Sequence, residues 1–299
     1  MEATWWPAPA KLNLFLHVVG RRPDGRHLLQ TVFQFLDLCD CLAFEVTPAG
    51  GIRRARPVPG VAEEADLCLR AARLLGARAG VRRGVVIHLD KRLPLGGGLG
   101  GGSSDAATTL HALNRLWGLG LPADELAALG LELGADVPVF VRGQAAWAEG
   151  VGERLEPVAL PEPWYVVVAP PVPVSTARIF QAFSAQPRLT GYRAPITIRD
   201  FRAGRCGNDL EAVACGLHPE VAQALAWLGR QGTAAGPARM TGSGACVFLP
   251  VADRASGRRI VEALPDAWTG FLARGRNRSP LLDHLQDPGE APRRGATPS

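Results

Sequence analysis

The sequence predicts a protein of α+β class, with strands and helices mixed along a chain large enough for two domains. Three observations carry this expectation. The chain has 299 residues, against about 100–200 for one domain. Strand patterns at Lys11 to Val19 and Val85 to Leu89 alternate with helical spacing at Ser104 to Trp117 and Glu220 to Leu228. A proline-rich stretch, Pro157 to Pro163, then joins a first half to a second.

Composition excludes several classes. Hydrophobic residues make up 47% of the chain and charged residues 20%, which argues against wholesale disorder. No apolar stretch approaches the ~20 residues of a membrane span, and Met1-Glu2-Ala3-Thr4-Trp5-Trp6-Pro7 lacks a basic-then-apolar signal pattern. A soluble, cytoplasmic protein with no membrane partner is expected. The net charge of +5 is spread over scattered arginines with no long basic run, so an anionic small molecule suits it and no nucleic-acid partner is expected. Of six cysteines only Cys39 and Cys41 lie close together, in a strand-like stretch without zinc spacing, so reduced, structural thiols are expected.

Taken in order, the first element is Ala10-Lys11-Leu12-Asn13-Leu14-Phe15-Leu16-His17-Val18. Its alternation puts Leu12, Leu14, Leu16 and Val18 on one face and Lys11, Asn13, Phe15 and His17 on the other. Lys11 and Asn13 therefore point the same way, either into a site or from a half-exposed strand with a polar outer face. Lys11 carries a second signal: of 33 basic residues only Lys11 and Lys91 are lysine. Where arginine supplies generic charge, a retained lysine marks a place that takes a compact ammonium and not a planar fork. Gly20 to His27 follows as a basic, turn-rich loop, suited to an anionic substrate or simply a hairpin with solvated arginines. A helix is expected over Leu67 to Leu75 with Asp66 as its cap.

The most informative segment is Leu93-Pro94-Leu95-Gly96-Gly97-Gly98-Leu99-Gly100-Gly101-Gly102-Ser103-Ser104-Asp105. Each ordered glycine gives up about 0.5–1 kcal/mol relative to alanine, so six cost several kcal/mol of a total near 5–15. A bound anion would offset that. Bare backbone approaches phosphate oxygens closely, and the helix expected to begin near Ser104 offers unpaired N–H groups and a positive dipole end. A flexible linker is the plain alternative, but a strand precedes the loop and a helix follows it. No lysine follows the glycines as a Walker loop requires, and the dinucleotide pattern lacks its second strand and acidic residue.

Downstream, a helix is expected over Asp124 to Leu133 and a strand from Pro138. Asp136 lies in the junction between them, where a carboxylate either caps a turn or serves as a base toward an acceptor hydroxyl. Arg239 to Phe248 reads as a small-residue turn before an apolar strand. The tail from Gln286 to Ser299 lacks any apolar residue large enough to anchor it, so disorder is expected.

Pro9-Ala10-Lys11-Leu12-Asn13-Leu14, the loop from Pro94 to Asp105, Gly134-Ala135-Asp136-Val137-Pro138 and Thr241-Gly242-Ser243-Gly244-Ala245 together resemble the motifs of GHMP-type small-molecule kinases. Within that superfamily, Asp24-Gly25-x-His27, Leu29-Gln30-Thr31-Val32-Phe33, Glu149-Gly150-Val151-Gly152-Glu153, Pro195-Ile196-Thr197-Ile198 and Asn208-Asp209-Leu210-Glu211 resemble the branch that phosphorylates 4-diphosphocytidyl-2-C-methyl-D-erythritol, or CDP-methylerythritol. The resemblance runs from about Pro7 to Leu282.

It implies an N-terminal α/β domain over 1–155, a C-terminal α+β domain over 156–285, and an active site in the cleft between them. It also implies transfer of the ATP γ-phosphoryl group to the 2-hydroxyl of CDP-methylerythritol, a step of the non-mevalonate route to isoprenoids, by a monomer or a homodimer. Asp136 would orient or deprotonate the hydroxyl, and Lys11 would stabilise charge beside it. Pro94, Leu95, Gly96, Gly97, Gly98, Leu99, Gly100, Gly101, Gly102, Ser103 and Ser104 would hold the ATP phosphates. Asn13 and His27 would contact the substrate, His27 at the cytosine edge. Mg2+ is expected with the nucleotide, with Ser103 or Ser104 either contacting it or capping the helix. Two departures stand out. Arg26 occupies the position of a tyrosine that stacks on cytosine, and a guanidinium can also stack; Asp66 replaces an asparagine. The same motifs also fit a GHMP kinase for another alcohol, such as homoserine or mevalonate, or a non-catalytic nucleotide-binding module. The presence of both Lys11 and Asp136 speaks against the module.

Overall fold

The structure, a computed structural model, describes residues 4–48, 50–185, 192–232 and 235–287. Residues 288–299, most of the tail expected to be disordered, lie outside the described residues. The strands in chain order are β1 (Trp6–Arg21), β2 (His27–Thr47), β3 (Ile52–Arg54), β4 (Gly84–Asp90), β5 (Ala146–Gly150), β6 (Arg154–Pro157), β7 (Trp164–Ala169), β8 (Arg239–Met240), β9 (Val247–Val251) and β10 (Thr269–Arg276). The helices are α1 (Leu67–Ala79), α2 (Gly101–Leu116), α3 (Ala123–Leu133), α4 (Val137–Arg142), α5 (Thr176–Ser184), α6 (Ile198–Arg202), α7 (Glu211–Leu217), α8 (Pro219–Gly229), α9 (Arg254–Glu262) and α10 (Pro280–Gln286). Among the described residues no helix is long and apolar enough to cross a membrane.

All the strands join one sheet, and β2 is its hub. Along one edge β2 pairs with β1; along the other it meets β5 at Leu29 to Phe33, β10 at Phe35 and Leu36, and β4 at Cys41 to Thr47. Among the described strands only β3 and β4 pair in parallel. The first half is therefore not the α/β arrangement expected of it: apart from β3 and β4, which flank α1, its strand pairs are antiparallel, and β1–β2 and β5–β6 follow directly in the chain without a helical crossover. The class of the whole molecule is α+β, as expected.

Apolar side chains divide along β1. Helices α1 to α4 pack Leu75, Leu110, Leu126 and Phe140 against Phe35 and Ile87 of the sheet. Each such burial contributes about 1.5–3 kcal/mol. In the second half, Leu16 and Val18 join Val166, Ile179, Leu210 and Leu249. Between them lies a smaller cluster containing Leu12, Leu36, Leu99 and Phe248. Lys11 and Asn13 thus sit where the two halves meet. The last helix returns to the first half, where α10 packs on β1 and the Ser279 N–H donates to the Gly143 carbonyl at 2.9 Å.

One open alternative closes and two expectations change. The β1 strand is not polar on its outer face: Lys11, Asn13, Phe15 and His17 are all buried, because α2 and the second half cover that side. The segment after Asp136 is the helix α4 and not a strand. Pro138 enters its first turn, where a fixed φ and a missing N–H cost nothing. Val137, Val139, Phe140 and Val141 are then buried against α2 and α3, and this packing overrides their strand preference. Finally α2 begins at Gly101, not near Ser104.

Candidate active site

The glycine loop between β4 and α2 is tied down along its length. The Lys11 N–H donates to the Leu99 carbonyl at 3.0 Å, the Ala245 N–H to Gly96 at 3.2 Å and the Cys246 N–H to Gly97 at 3.0 Å. It is a scaffolded loop, not a linker. Gly98 shows why a side chain is excluded: its φ is +75°, and a Cβ there would stand 2.3 Å from the Thr241 carbonyl oxygen. Gly100, also at φ +75°, forms the cap of α2 without any side-chain bond, so neither Ser103 nor Ser104 caps the helix. The first intrahelical bond runs from the Ser104 N–H to the Gly100 carbonyl at 2.8 Å. The amides of Gly101, Gly102 and Ser103 precede it and form the unpaired N-terminus.

These amides open on a cavity of about 300 Å³, lined by the loop from Pro94 to Ser103 together with Lys11, Asn13, Asp136 and Phe180. Ser104 is not part of the lining. It is fully buried, with its hydroxyl unpartnered among the described residues.

On the cavity floor the Lys11 ammonium donates to Asn13 Oδ1 at 2.5 Å and to the Gly98 carbonyl at 2.9 Å, and stands 3.3 Å from Asp136 Oδ2. The Phe33 ring lies beneath it at 5.4 Å. Asn13 is held by Thr31, to which its Nδ2 donates at 2.9 Å, and by Thr241, whose hydroxyl accepts the Asn13 N–H at 2.9 Å. Asp136 makes no capping bond to α4. Its carboxylate is 36% exposed while Lys11 is 3% exposed, so the acid is open to a ligand and the ammonium is preset beneath it. One buried cation and one accessible carboxylate can stabilise a transferring anionic group and take a proton from an attacking hydroxyl.

Lys91, the other lysine, lies between two carboxylates. Its ammonium is 2.6 Å from Asp40 and 2.7 Å from Asp105. Asp40 also accepts the N–H groups of Arg92 at 2.6 Å and Leu93 at 2.8 Å, which fixes the entry to the glycine loop. Burial and the neighbouring Asp40 charge push the Asp105 carboxyl up to about 7. Burial also disfavours the Lys91 cation, but Asp105 and Asp40 outweigh it and raise Lys91 to about 12. Lys91 also lines the cavity. Its scarcity flagged it in the sequence, but no role followed because Asp40 and Asp105 are distant in the chain.

The Thr241 to Gly244 turn closes the cavity from the second half. Asn208 Nδ2 donates to the carbonyls of Met240 at 3.0 Å and Gly242 at 2.8 Å, and Glu211 accepts the Met240 N–H at 2.9 Å. The Asn208 to Glu211 motif thus acts through the turn. Ser243 and Thr176 hydroxyls meet at 2.8 Å and join the turn to α5.

His27 lies beside the cavity, stacked on Phe180 with ring centroids 5.0 Å apart. Arg26 is exposed in the β1–β2 hairpin, where its N–H donates to Asp24, and it does not line the cavity. Asp66 caps α1, accepting from Cys68 at 2.9 Å and Leu69 at 3.3 Å, and also accepts from the Arg54 guanidinium. The capping role expected of it holds. The cysteines are unpaired, and Cys39 and Cys41 are buried. Among the described residues no group of three or more metal-ligating side chains gathers. Phe180 and Thr176 had no signal in the sequence, since only the packing of α5 brings them to the site.

The chain matches the GHMP kinases N terminal domain over residues 66–144 and the GHMP kinases C terminal family over residues 199–270. It is 57% identical to a 4-diphosphocytidyl-2-C-methyl-D-erythritol kinase of Aromatoleum aromaticum, covering 92% of this chain and 94% of that protein. A protein of the same name from Thiobacillus denitrificans is 56% identical over 94% of this chain and 99% of its own length. A crystal structure of a 4-(cytidine 5'-diphospho)-2C-methyl-D-erythritol kinase superposes with a TM-score of 0.78 at 36% identity, over 91% of this chain and 98% of that one. The strand–glycine loop–helix unit, the Lys11–Asp136 pair and these likenesses agree: the chain belongs to the GHMP kinases, in the family of 4-diphosphocytidyl-2-C-methyl-D-erythritol kinases.

Proposed function

We propose that this chain transfers the γ-phosphoryl group of ATP to the 2-hydroxyl of CDP-methylerythritol, in the cytoplasm. The observation that carries the reading is the Lys11–Asp136 pair, 3.3 Å apart on the floor of the cavity that the glycine loop lines. Phosphoryl transfer is mainly a matter of alignment and charge stabilisation. In this reading the amides of Gly101, Gly102 and Ser103 and the rest of the loop from Pro94 hold the nucleotide phosphates. Lys11 stabilises charge on the transferring group, and Asp136 orients the acceptor hydroxyl and receives its proton. Asn13 and His27 contact the substrate.

Mg2+ fits this site as a nucleotide-borne ion. The described residues form no acidic cage, and Mg2+ commonly binds through phosphates and few protein groups. Ser103, which lines the cavity, would hold it, whereas the buried Ser104 hydroxyl does not line the cavity. When bound, the ion neutralises phosphate charge. We assign residues 1–155 to a first unit and 156–285 to a second; limited proteolysis that cuts first within Pro157 to Pro163 supports this division.

An ADP-release assay with ATP and magnesium, comparing CDP-methylerythritol with mevalonate, homoserine and no acceptor, tests the function. Turnover with CDP-methylerythritol alone is expected. ATP binding without turnover on it overturns the assignment.

A further inference from the structure

Ser184 is the last residue of α5, and its hydroxyl has two partners. It lies 3.0 Å from the Phe180 carbonyl, one helical turn back, and 2.8 Å from Nε2 of His27. A carbonyl oxygen only accepts, so the single hydroxyl proton of Ser184 goes to Phe180. The Ser184 oxygen then accepts from His27, which puts the imidazole proton on Nε2 and leaves an open lone pair on Nδ1. The ring plane is held as well. It stacks on Phe180 at 24° and meets the edge of Phe183 at 6.1 Å. Burial, with the Arg21 charge nearby, lowers the His27 pKa and keeps the ring neutral at neutral pH. Among the described residues no side-chain hydrogen bond reaches Nδ1.

We infer that Ser184 is a positioning residue that holds His27 as the Nε2–H tautomer, so that the site selects a pyrimidine bearing an exocyclic amine over one bearing a carbonyl there. The inference rests on the proposed function, which brings a cytidine group to His27. The 4-amino group of cytosine donates and is attracted to the Nδ1 lone pair. The 4-carbonyl of uracil only accepts and is repelled by it. The opposite tautomer would reverse this preference. A site built to bond one polar group rejects an analogue that leaves its own group unpaired.

The test uses the full chain. Nitrogen-15 NMR of the histidine-labelled enzyme, with the His27 signal assigned from His27→Gln, is expected to show Nε2 protonated and Nδ1 bare. Kinetics with CDP-methylerythritol and its uridine analogue are then compared in Ser184→Ala and Ser184→Thr. In Ser184→Ala the preference for cytidine over uridine falls roughly tenfold, as for loss of one hydrogen bond, chiefly through KM for the cytidine substrate. Ser184→Thr retains the hydroxyl and restores the preference. A purely structural Ser184 would lower both substrates alike. An Nδ1–H tautomer in the wild-type enzyme, or an unchanged preference in Ser184→Ala, overturns the inference while leaving the proposed reaction intact. A wild-type enzyme inactive on both nucleotides overturns the reading beneath it.

Discussion

Lys91 and Asp105 stand 2.7 Å apart beneath the glycine loop, with Asp40 on the other side of the same ammonium at 2.6 Å. Two buried carboxylates therefore share one cation, and burial, with the Asp40 charge beside it, raises the Asp105 pKa to about 7. The folded protein holds a proton there that the unfolded chain releases near pH 4. The corresponding stability is present in acid and is lost as the pH rises through about 7.

Asp105→Asn removes that dependence. Between pH 5 and 8 the stability of wild type relative to Asp105→Asn should fall by about 2–3 kcal/mol, the equivalent of two pKa units. Urea unfolding of both proteins at the two pH values measures it. A difference that stays constant with pH would place the Asp105 pKa in the ordinary range.

The ion pair on the cavity floor makes a kinetic prediction. Asp136→Asn should lower turnover by about 10²–10⁴-fold, the usual worth of a general base, with ATP affinity nearly intact. Single-turnover rates and nucleotide titration separate the two quantities. Near-normal turnover would remove Asp136 from the chemistry.

Lys11→Arg should also be poor. The Lys11 ammonium fits between Asn13 Oδ1 at 2.5 Å, the Gly98 carbonyl at 2.9 Å and the Phe33 ring, and a planar guanidinium there would displace the loop. Steady-state kinetics check this, and full activity in Lys11→Arg would contradict the requirement for a compact cation.

Gly98→Ala and Gly102→Ala form a matched pair. A Cβ on Gly98 meets the Thr241 carbonyl at 2.3 Å from a left-handed backbone, whereas one on Gly102 meets only Leu67 Cδ1 at 3.5 Å. Gly98→Ala should cost about 1–3 kcal/mol of stability and raise KM for ATP by parting the loop from the Thr241 turn. Gly102→Ala should unfold like wild type. Equal unfolding midpoints for the two variants would show that the loop does not need its contact with the turn.

Much of the site was legible in the sequence. The glycine run, the lysine kept against an arginine background, and the Lys11/Asn13 spacing are local signals, and local signals survive in a one-dimensional string. They identified the loop, the cation and its neighbour. The same signals placed Asp136 next to small residues but left open whether it caps a turn; its 3.3 Å approach to Lys11, with no capping bond to α4, decides that.

Other features were decided only by the fold. The Val137 to Arg142 segment reads as a strand because β-branched residues favour one, yet its burial against α2 and α3 makes it a helix. Lys91 has an unusual identity but no visible partner, since Asp40 reaches it from β2 and Asp105 from α2. Phe180 and Ser184 come to His27 on a helix of the second half, and Arg26, one residue away from His27, points to solvent. Spacing and residue type pointed to anion binding at the glycine loop, because bare backbone ahead of a helix is a local signal, and the resemblance of the motifs to the GHMP kinases supplied the kind of chemistry. Tertiary structure decided which charges face each other and which are exposed, because those energies depend on burial and on distances of a few ångströms between segments far apart in the chain.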